Sequence, residues 1–151
     1  MDRINISFGD LLICQMLSTE SLRFIGYGGG IRRVDKIRAL VNYPVCYSRL
    51  HSCFVTAPDE KNCGHCKKCR MDILNLWALG ALDKFSGVYD LEQAEKERAA
   101  DIAFLLANND EPMYQDTLDL IKEAGLEIPQ RSRILAQQFK RSMDMLKRKG
   151  L

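Results

Sequence analysis

The sequence predicts a mainly α-helical protein with a minor β contribution near the N-terminus. Two observations support this fold class. Apolar residues recur at helical spacing along most of the chain. Only residues 22–27 have strand-forming side chains followed directly by a run of glycines. A chain of 151 residues with near-average apolar and charged fractions is long enough to bury one core. We therefore predict a single domain over residues 1–151.

The first part of this domain, residues 1–45, is predicted as a residual α/β segment. It begins with a short helix over residues 9–17, which is followed by the strand at 22–27. A second helix starts near Val34 and carries its apolar residues on one face. It is expected to end just before Pro44, because proline disfavours helical geometry in the residue that precedes it.

The middle part, residues 46–90, is predicted as a cysteine-rich loop followed by a buried helix. Between residues 44 and 62 the composition turns to Ser, Pro, Asp and Asn, which indicates a loop whose shape something else must hold. Residues 71–79 are apolar on most sides, and this pattern predicts a buried helix that ends near Gly80.

The last part, residues 91–151, is predicted to be all helical. Breaks at residues 108–112 and 125–129 separate three helices. The apolar residues that mark them are Leu91, Ala94, Ile102 and Leu105 for the first, Tyr114, Leu118 and Ile121 for the second, and Leu135, Phe139, Met143 and Leu146 for the third.

Charge and hydropathy exclude some classes of protein. The net charge of +2 gives no strong field towards nucleic acid, and no apolar run approaches the length that crosses a bilayer. The first residues lack the basic segment and apolar stretch of a secretory signal, so we expect a cytoplasmic protein with no membrane partner. In that compartment cysteines stay reduced, and six of them favour metal binding over disulfides.

Four cysteines have the spacing of a zinc site. Two-residue gaps join Cys63, Cys66 and Cys69, and such gaps let a tight turn place two sulfurs on one ion. The fourth ligand is predicted to be Cys53, with Cys46, His51 and His65 as the other candidates. Four protein ligands leave no open position, so the predicted zinc is structural. A cysteine-ligated iron–sulfur cluster is the alternative that this spacing leaves open.

Other side chains near this cluster suggest no catalysis. Basic residues surround the cysteines in sequence and are expected to offset the negative charge of four thiolates: Lys61, Lys67, Lys68 and Arg70. We predict no catalytic residue, since no acid–base pair is evident. A nucleophile could come only from Cys46, next to Tyr47 and near His51, and no acid is placed to orient it. Cys14 and Cys46 are expected to be small buried apolar residues.

The cysteine loop also carries a family resemblance. The stretches 52–54 (Ser-Cys-Phe) and 62–69 (Asn-Cys-Gly-His-Cys-Lys-Lys-Cys) resemble the zinc loop of the 7-cyano-7-deazaguanine synthases and their relatives among the N-type ATP pyrophosphatases, the PP-loop proteins. Residues 17–20, 32–37 and 76–85 are similar to the C-terminal part of uncharacterised PP-loop relatives. The resemblance implies an upstream α/β nucleotide-binding layer, ATP-dependent adenylation and a structural zinc held by the four cysteines.

The chain departs from these enzymes in two places. Their phosphate loop, Ser-Gly-Gly followed by Asp-Ser, is absent, because residues 28–32 contain glycines but neither the serines nor the acidic residue. Asp72 also occupies the position where the synthases place an arginine after the last cysteine. We therefore predict a zinc-binding accessory or remnant domain without independent ATP chemistry, which uses ATP only if a partner chain supplies the phosphate loop.

Two partner predictions follow. The leading one is a nucleotide-binding partner chain or self-association, in which Arg32, Arg33 and Lys36 either help to hold a phosphate or form the solvated face of a helix. The alternative function is a small zinc module that binds nucleic acid through the basic loop at 61–70 and the C-terminal helix. We do not favour it, since acidic residues balance the chain and no aromatic residues interleave the basic ones in sequence.

Overall fold

The computed structural model describes residues 6–148, with side chains over residues 12–146. These residues form seven α-helices and one 3₁₀ turn and contain no strand. The helices are α1 (Ile6–Leu17), α2 (Arg33–Leu40), α3 (Cys46–Arg49), α4 (Lys67–Ala78), α5 (Leu91–Ala107), α6 (Pro112–Glu123) and α7 (Gln130–Arg148), and the 3₁₀ turn is Leu82–Phe85. The mainly helical prediction is therefore confirmed, and the chain groups into two compact units, Met1–Arg32 and Arg33–Leu151.

The first unit contains α1 and an irregular segment, and here the predicted strand at residues 22–27 is wrong. A strand needs a neighbouring strand to receive its backbone groups, and no described residue offers one. Instead, Thr19 donates its backbone N–H to the carbonyl of Leu22, and Ser18 Oγ accepts from the N–H of Phe24 at 2.9 Å. The segment is held as a turn, and its apolar side chains are exposed.

The second unit is built around α4, the helix predicted as buried. Residues 71–76 of this helix are all buried, which confirms the prediction, although the helix begins earlier, at Lys67. It ends as expected near Gly80, whose φ of +63° allows the Schellman motif: Ala81 N donates to Leu76 O and Gly80 N to Trp77 O, both at 2.9 Å. Two apolar clusters meet on α4, one shared with α2, α5 and α6, the other with the cysteine loop and the 3₁₀ turn.

The three helices predicted in the C-terminal part are all present. Asp90 caps α5 by accepting a hydrogen bond from Gln93 N at 3.0 Å, and Pro112 occupies the first turn of α6, where its missing N–H costs nothing. Packing between α5 and α7 runs through small residues, Ala103, Ala107 and Ala136. None of the described helices is both long enough and apolar enough to cross a membrane.

Candidate metal centre

The four predicted ligands lie together at the start of α4. Their sulfurs all fall within 4.8 Å of one another, with 3.3 Å between the Sγ atoms of Cys66 and Cys69 and 3.9 Å between those of Cys63 and Cys69. A tetrahedron with Zn–S bonds of about 2.3 Å has edges of about 3.8 Å. The spacing of the sulfurs therefore fits one tetrahedral metal ion.

Backbone N–H groups point at two of these sulfurs. Val55 N and Thr56 N lie 3.3 and 3.4 Å from Cys53 Sγ, and Cys66 N lies 3.4 Å from Cys63 Sγ. Each set closes a tight turn around a cysteine, and such donors stabilise a thiolate. The second turn requires Gly64, whose φ of +77° lies in the left-handed region that side chains disfavour.

Asn62 joins the two halves of the cysteine loop, a role that the sequence pattern did not indicate. Its Oδ1 accepts from Ser52 N and Cys53 N at 3.0 Å, while Nδ2 donates to the carbonyls of Leu50 at 2.9 Å and Val88 at 3.1 Å. The side chain is buried, so water cannot replace these partners. Asn62 thereby holds Cys53 beside Cys63. The only signal in the sequence was an amide residue immediately before the first cysteine of the knuckle.

The pKa values of the thiols separate within the cluster. Burial acts to raise the pKa of Cys53, but hydrogen bonds from Thr56, Cys63 and Val55 outweigh it and lower the pKa to about 5. Burial raises the pKa of Cys63. Burial also raises the pKa of Cys69, and the neighbouring Cys66 sulfur adds to that rise. Sulfurs this close cannot all ionise without a cation among them. The donor set therefore suits a divalent ion with affinity for thiolates.

The basic residues near the cysteines contact other helices. Lys67 Nζ lies 3.6 Å from Glu111 Oε2 and 4.9 Å from the ring centre of Tyr114. Arg70 lies against Phe104, and its Nε is 3.2 Å from Asp101 Oδ1. Besides the local charge role expected for them, these two side chains link the start of α4 to α5 and α6.

The alternative ligands stay outside the cluster. Among the described residues, the four sulfurs form the group suited to a metal, and Cys46, His51 and His65 do not join it. His65 turns towards α5, where its Nδ1 lies 3.0 Å from Glu97 Oε2. Cys14 and Cys46 are half-buried, and Cys14 belongs to the first unit.

A buried polar network runs from α2 to the cysteine loop. The Arg33 guanidinium donates two hydrogen bonds of 2.8 Å to the carboxylate of Asp72, which is fully buried. Tyr89 Oη lies 3.5 Å from Asp72 Oδ2 and 3.2 Å from Ser52 Oγ, next to Cys53 in sequence. Arg33 is therefore paired with a buried carboxylate, which neither of the two roles expected for it from the sequence, a phosphate ligand or a solvated side chain, includes.

The fold and the site define a helical protein with a four-cysteine cluster compatible with a structural zinc ion. Comparison with protein-family models, with curated proteins and with solved structures finds no match.

Proposed function

We propose that this chain is a zinc-binding accessory or remnant domain of a PP-loop ATP pyrophosphatase resembling the 7-cyano-7-deazaguanine synthases, without ATP chemistry of its own. The observation that carries the proposal is the convergence of four sulfurs within 4.8 Å, in the loop where the resemblance lies. Residues 53, 63, 66 and 69 hold the zinc, and four thiolates leave it no free position for water or substrate. The ion is structural.

The role of the zinc follows from the composition of the loop. Residues 54–61 are exposed or half-buried, so apolar burial contributes little to their folded shape. A metal bound only by the folded loop contributes its binding free energy to folding. Zinc thus holds the loop against α4, and through Arg33 and Asp72 that helix is tied to α2.

Two observations support an accessory role. The sequence lacks the serine- and aspartate-containing phosphate loop, whose backbone N–H groups cradle pyrophosphate in the enzymes it resembles. The first unit exposes large apolar side chains that would be covered by a second protein surface: Leu12, Met16, Leu22, Ile25 and Tyr27. A partner chain that carries the nucleotide-binding layer, or a second copy of this chain, is the proposed cover.

The metal content of the purified chain tests the zinc assignment. We expect one equivalent of zinc in the unsubstituted chain, loss of that zinc and a lower melting temperature in Cys66→Ser, and neither change in Cys14→Ser. Retention of one equivalent by both variants would make the ligand assignment wrong. A brown protein that contains iron would show that the cysteines hold an iron–sulfur cluster instead of zinc.

Titration with MgATP tests the accessory role. The chain alone is expected to give no saturable heat of binding and to release no pyrophosphate. Saturable binding, or pyrophosphate release that depends on the chain, would contradict the proposal because it would require a phosphate site of the chain's own.

The alternative, nucleic-acid binding, has one observation in its favour. Phe54 is exposed with Lys68 Nζ 5.6 Å from its ring centre, so the fold brings an aromatic ring beside a basic residue that the sequence keeps apart. It ranks second because Lys67 and Arg70 are engaged with carboxylates of the chain itself. Binding of single-stranded RNA that weakens linearly with the logarithm of salt concentration would favour it.

A further inference from the structure

Two cysteines of the cluster differ from the other two in their exposure to solvent. Cys53 and Cys69 are buried, with 8% and 0% of their surface exposed, whereas Cys63 and Cys66 are half-buried. A small oxidant arriving from water therefore meets Cys63 or Cys66 first. Cys69 has no exposed surface.

Position on the helix distinguishes Cys66 from Cys63. Cys66 is the N-cap of the twelve-residue helix α4, and Cys69 lies in the first turn of the same helix. The Cys66 sulfur is therefore closer to Cys69 than the Cys63 sulfur is. Cys63 lies in the loop before this helix.

The nearest sulfur to Cys66 is well placed to receive the oxidation. The Sγ of Cys69 lies 3.3 Å away, and the three-residue spacing sets both side chains on the same side of the first turn. A disulfide of about 2.05 Å needs the two sulfurs to close by little more than about 1 Å. Cys63 is a more distant neighbour of Cys69, at 3.9 Å.

We propose that Cys66 and Cys69 form a peroxide-sensitive modification site, in which a disulfide between them expels the zinc. This inference rests on one part of the proposed function, the binding of zinc by the four cysteines. The compound that reacts at this site is a small hydroperoxide such as hydrogen peroxide.

The reaction balances in two steps. The Cys66 thiolate attacks one oxygen of hydrogen peroxide, the O–O bond breaks, and a sulfenic acid and hydroxide form. The Cys69 sulfur then attacks the sulfenic sulfur, the S–S bond forms, the S–O bond breaks, and the oxygen leaves as water with the proton of the thiol or of the solvent. Two sulfurs are oxidised, and one peroxide is reduced to two molecules of water.

The consequence is local. A disulfide no longer supplies thiolate ligands, so the zinc keeps only Cys53 and Cys63 and is released. The hydrogen bonds of Asn62 do not involve sulfur, and they continue to hold residues 50–53 beside residue 88. The helix α4 keeps its apolar contacts, so a reductant together with zinc restores the site.

The test uses the full zinc-loaded chain with Cys14→Ser and Cys46→Ser, so that every remaining thiol belongs to the cluster. Hydrogen peroxide is added, zinc is followed with a chromogenic chelator, and the intact mass is recorded. We expect release of one zinc with the loss of two thiols and two hydrogens, reversed by dithiothreitol and zinc. Trypsin cuts after Lys67 and Lys68 and separates Cys69 from the peptide 62–67, which contains both Cys63 and Cys66, so fragmentation of the joined peptides identifies which of the two is linked to Cys69.

Other outcomes decide against the proposal. A disulfide between a different pair, sulfinic acid at Cys66 without a disulfide, or zinc that stays bound after the thiols are oxidised would each overturn it. The variant Cys63→Ser, treated as metal-free protein, is expected to form the Cys66–Cys69 disulfide still. If the purified chain holds no zinc, the proposed function is wrong. The modification site is then tested separately, by whether hydrogen peroxide forms the Cys66–Cys69 disulfide in the metal-free protein.

Discussion

Arg33 and Asp72 form a bidentate ion pair, with Nε bonded to Oδ1 and Nη2 to Oδ2, both at 2.8 Å. The carboxylate is fully buried, whereas about a third of the Arg33 side chain, 31%, is exposed. Tyr89 extends the network to Ser52 beside the cysteine loop. The ion pair thus joins α2 to α4.

Loss of Arg33 should destabilise the second unit strongly. Arg33→Ala leaves the buried Asp72 carboxylate without its charged partner and with only the Tyr89 hydroxyl at 3.5 Å, and we expect a loss of about 3 kcal/mol or more in the free energy of unfolding, measured with urea. Arg38→Ala is the matched control on the same helix, because its partners Asp35 and Glu123 are surface groups, and it should cost less than about 1 kcal/mol. Equal effects of the two variants would contradict a buried role for Arg33.

Asn62 should control the shape of the cysteine loop. Asn62→Ala removes four hydrogen bonds from a buried site, and we expect a loss of about 3 kcal/mol in unfolding free energy together with weaker zinc binding. Zinc affinity is measured by competition with a chelator of known affinity. The control is Asn109→Ala, at an exposed position, which should change neither quantity. Unchanged zinc affinity in Asn62→Ala would show that the metal alone shapes the loop.

Gly64 should resist substitution for a backbone reason. Its φ of +77° is strained for a residue with a Cβ, although the nearest neighbour of that Cβ, the Gln93 side chain, lies at an acceptable 3.5 Å. Gly64→Ala is therefore expected to lower stability by about 1 to 2 kcal/mol in thermal unfolding. Gly30→Ala, where φ is not positive and nothing lies within 4 Å, should be close to neutral. A neutral Gly64→Ala would mean that the turn has another conformation.

Asp101 should make stability depend on pH. Burial raises the pKa of its carboxyl from 3.8 to about 6, and Glu97 adds to the rise, while Arg70 and His65 oppose it. The Arg70 N–H does not point along a hydrogen bond to Asp101, which explains why burial prevails. Because the folded pKa is raised, the stabilising contribution is complete below pH 3.8 and is lost as the pH rises through 6.

The variant Asp101→Asn isolates this contribution. We expect it to be more stable than the unsubstituted chain at pH 7, by up to about 3 kcal/mol, and to lose that advantage as the pH falls from 7 to 4. Thermal unfolding of both proteins at each pH gives the difference, in which any pH dependence of zinc binding that they share cancels. An advantage that stays constant with pH would contradict the raised pKa.

The sequence predicted the helices well because their cause is local. Each helical hydrogen bond joins residues four apart, so apolar spacing, Pro112 and Gly80 are sufficient to place α4 to α7 within a few residues. The short helix α3 and the 3₁₀ turn were missed, since neither is long enough to show a period. The single-domain prediction stays a prediction.

The cysteine spacing identified the four sulfurs for the same reason, since two-residue gaps constrain a turn whatever surrounds it. Tertiary structure decided what holds that turn in place. Asn62 bonds to backbone groups of residues 50 and 88, and Arg33 meets Asp72 across 39 positions, and no local pattern encodes contacts of that range. The prediction of a strand at residues 22–27 was wrong for the same reason, because a strand forms only where another segment pairs with it.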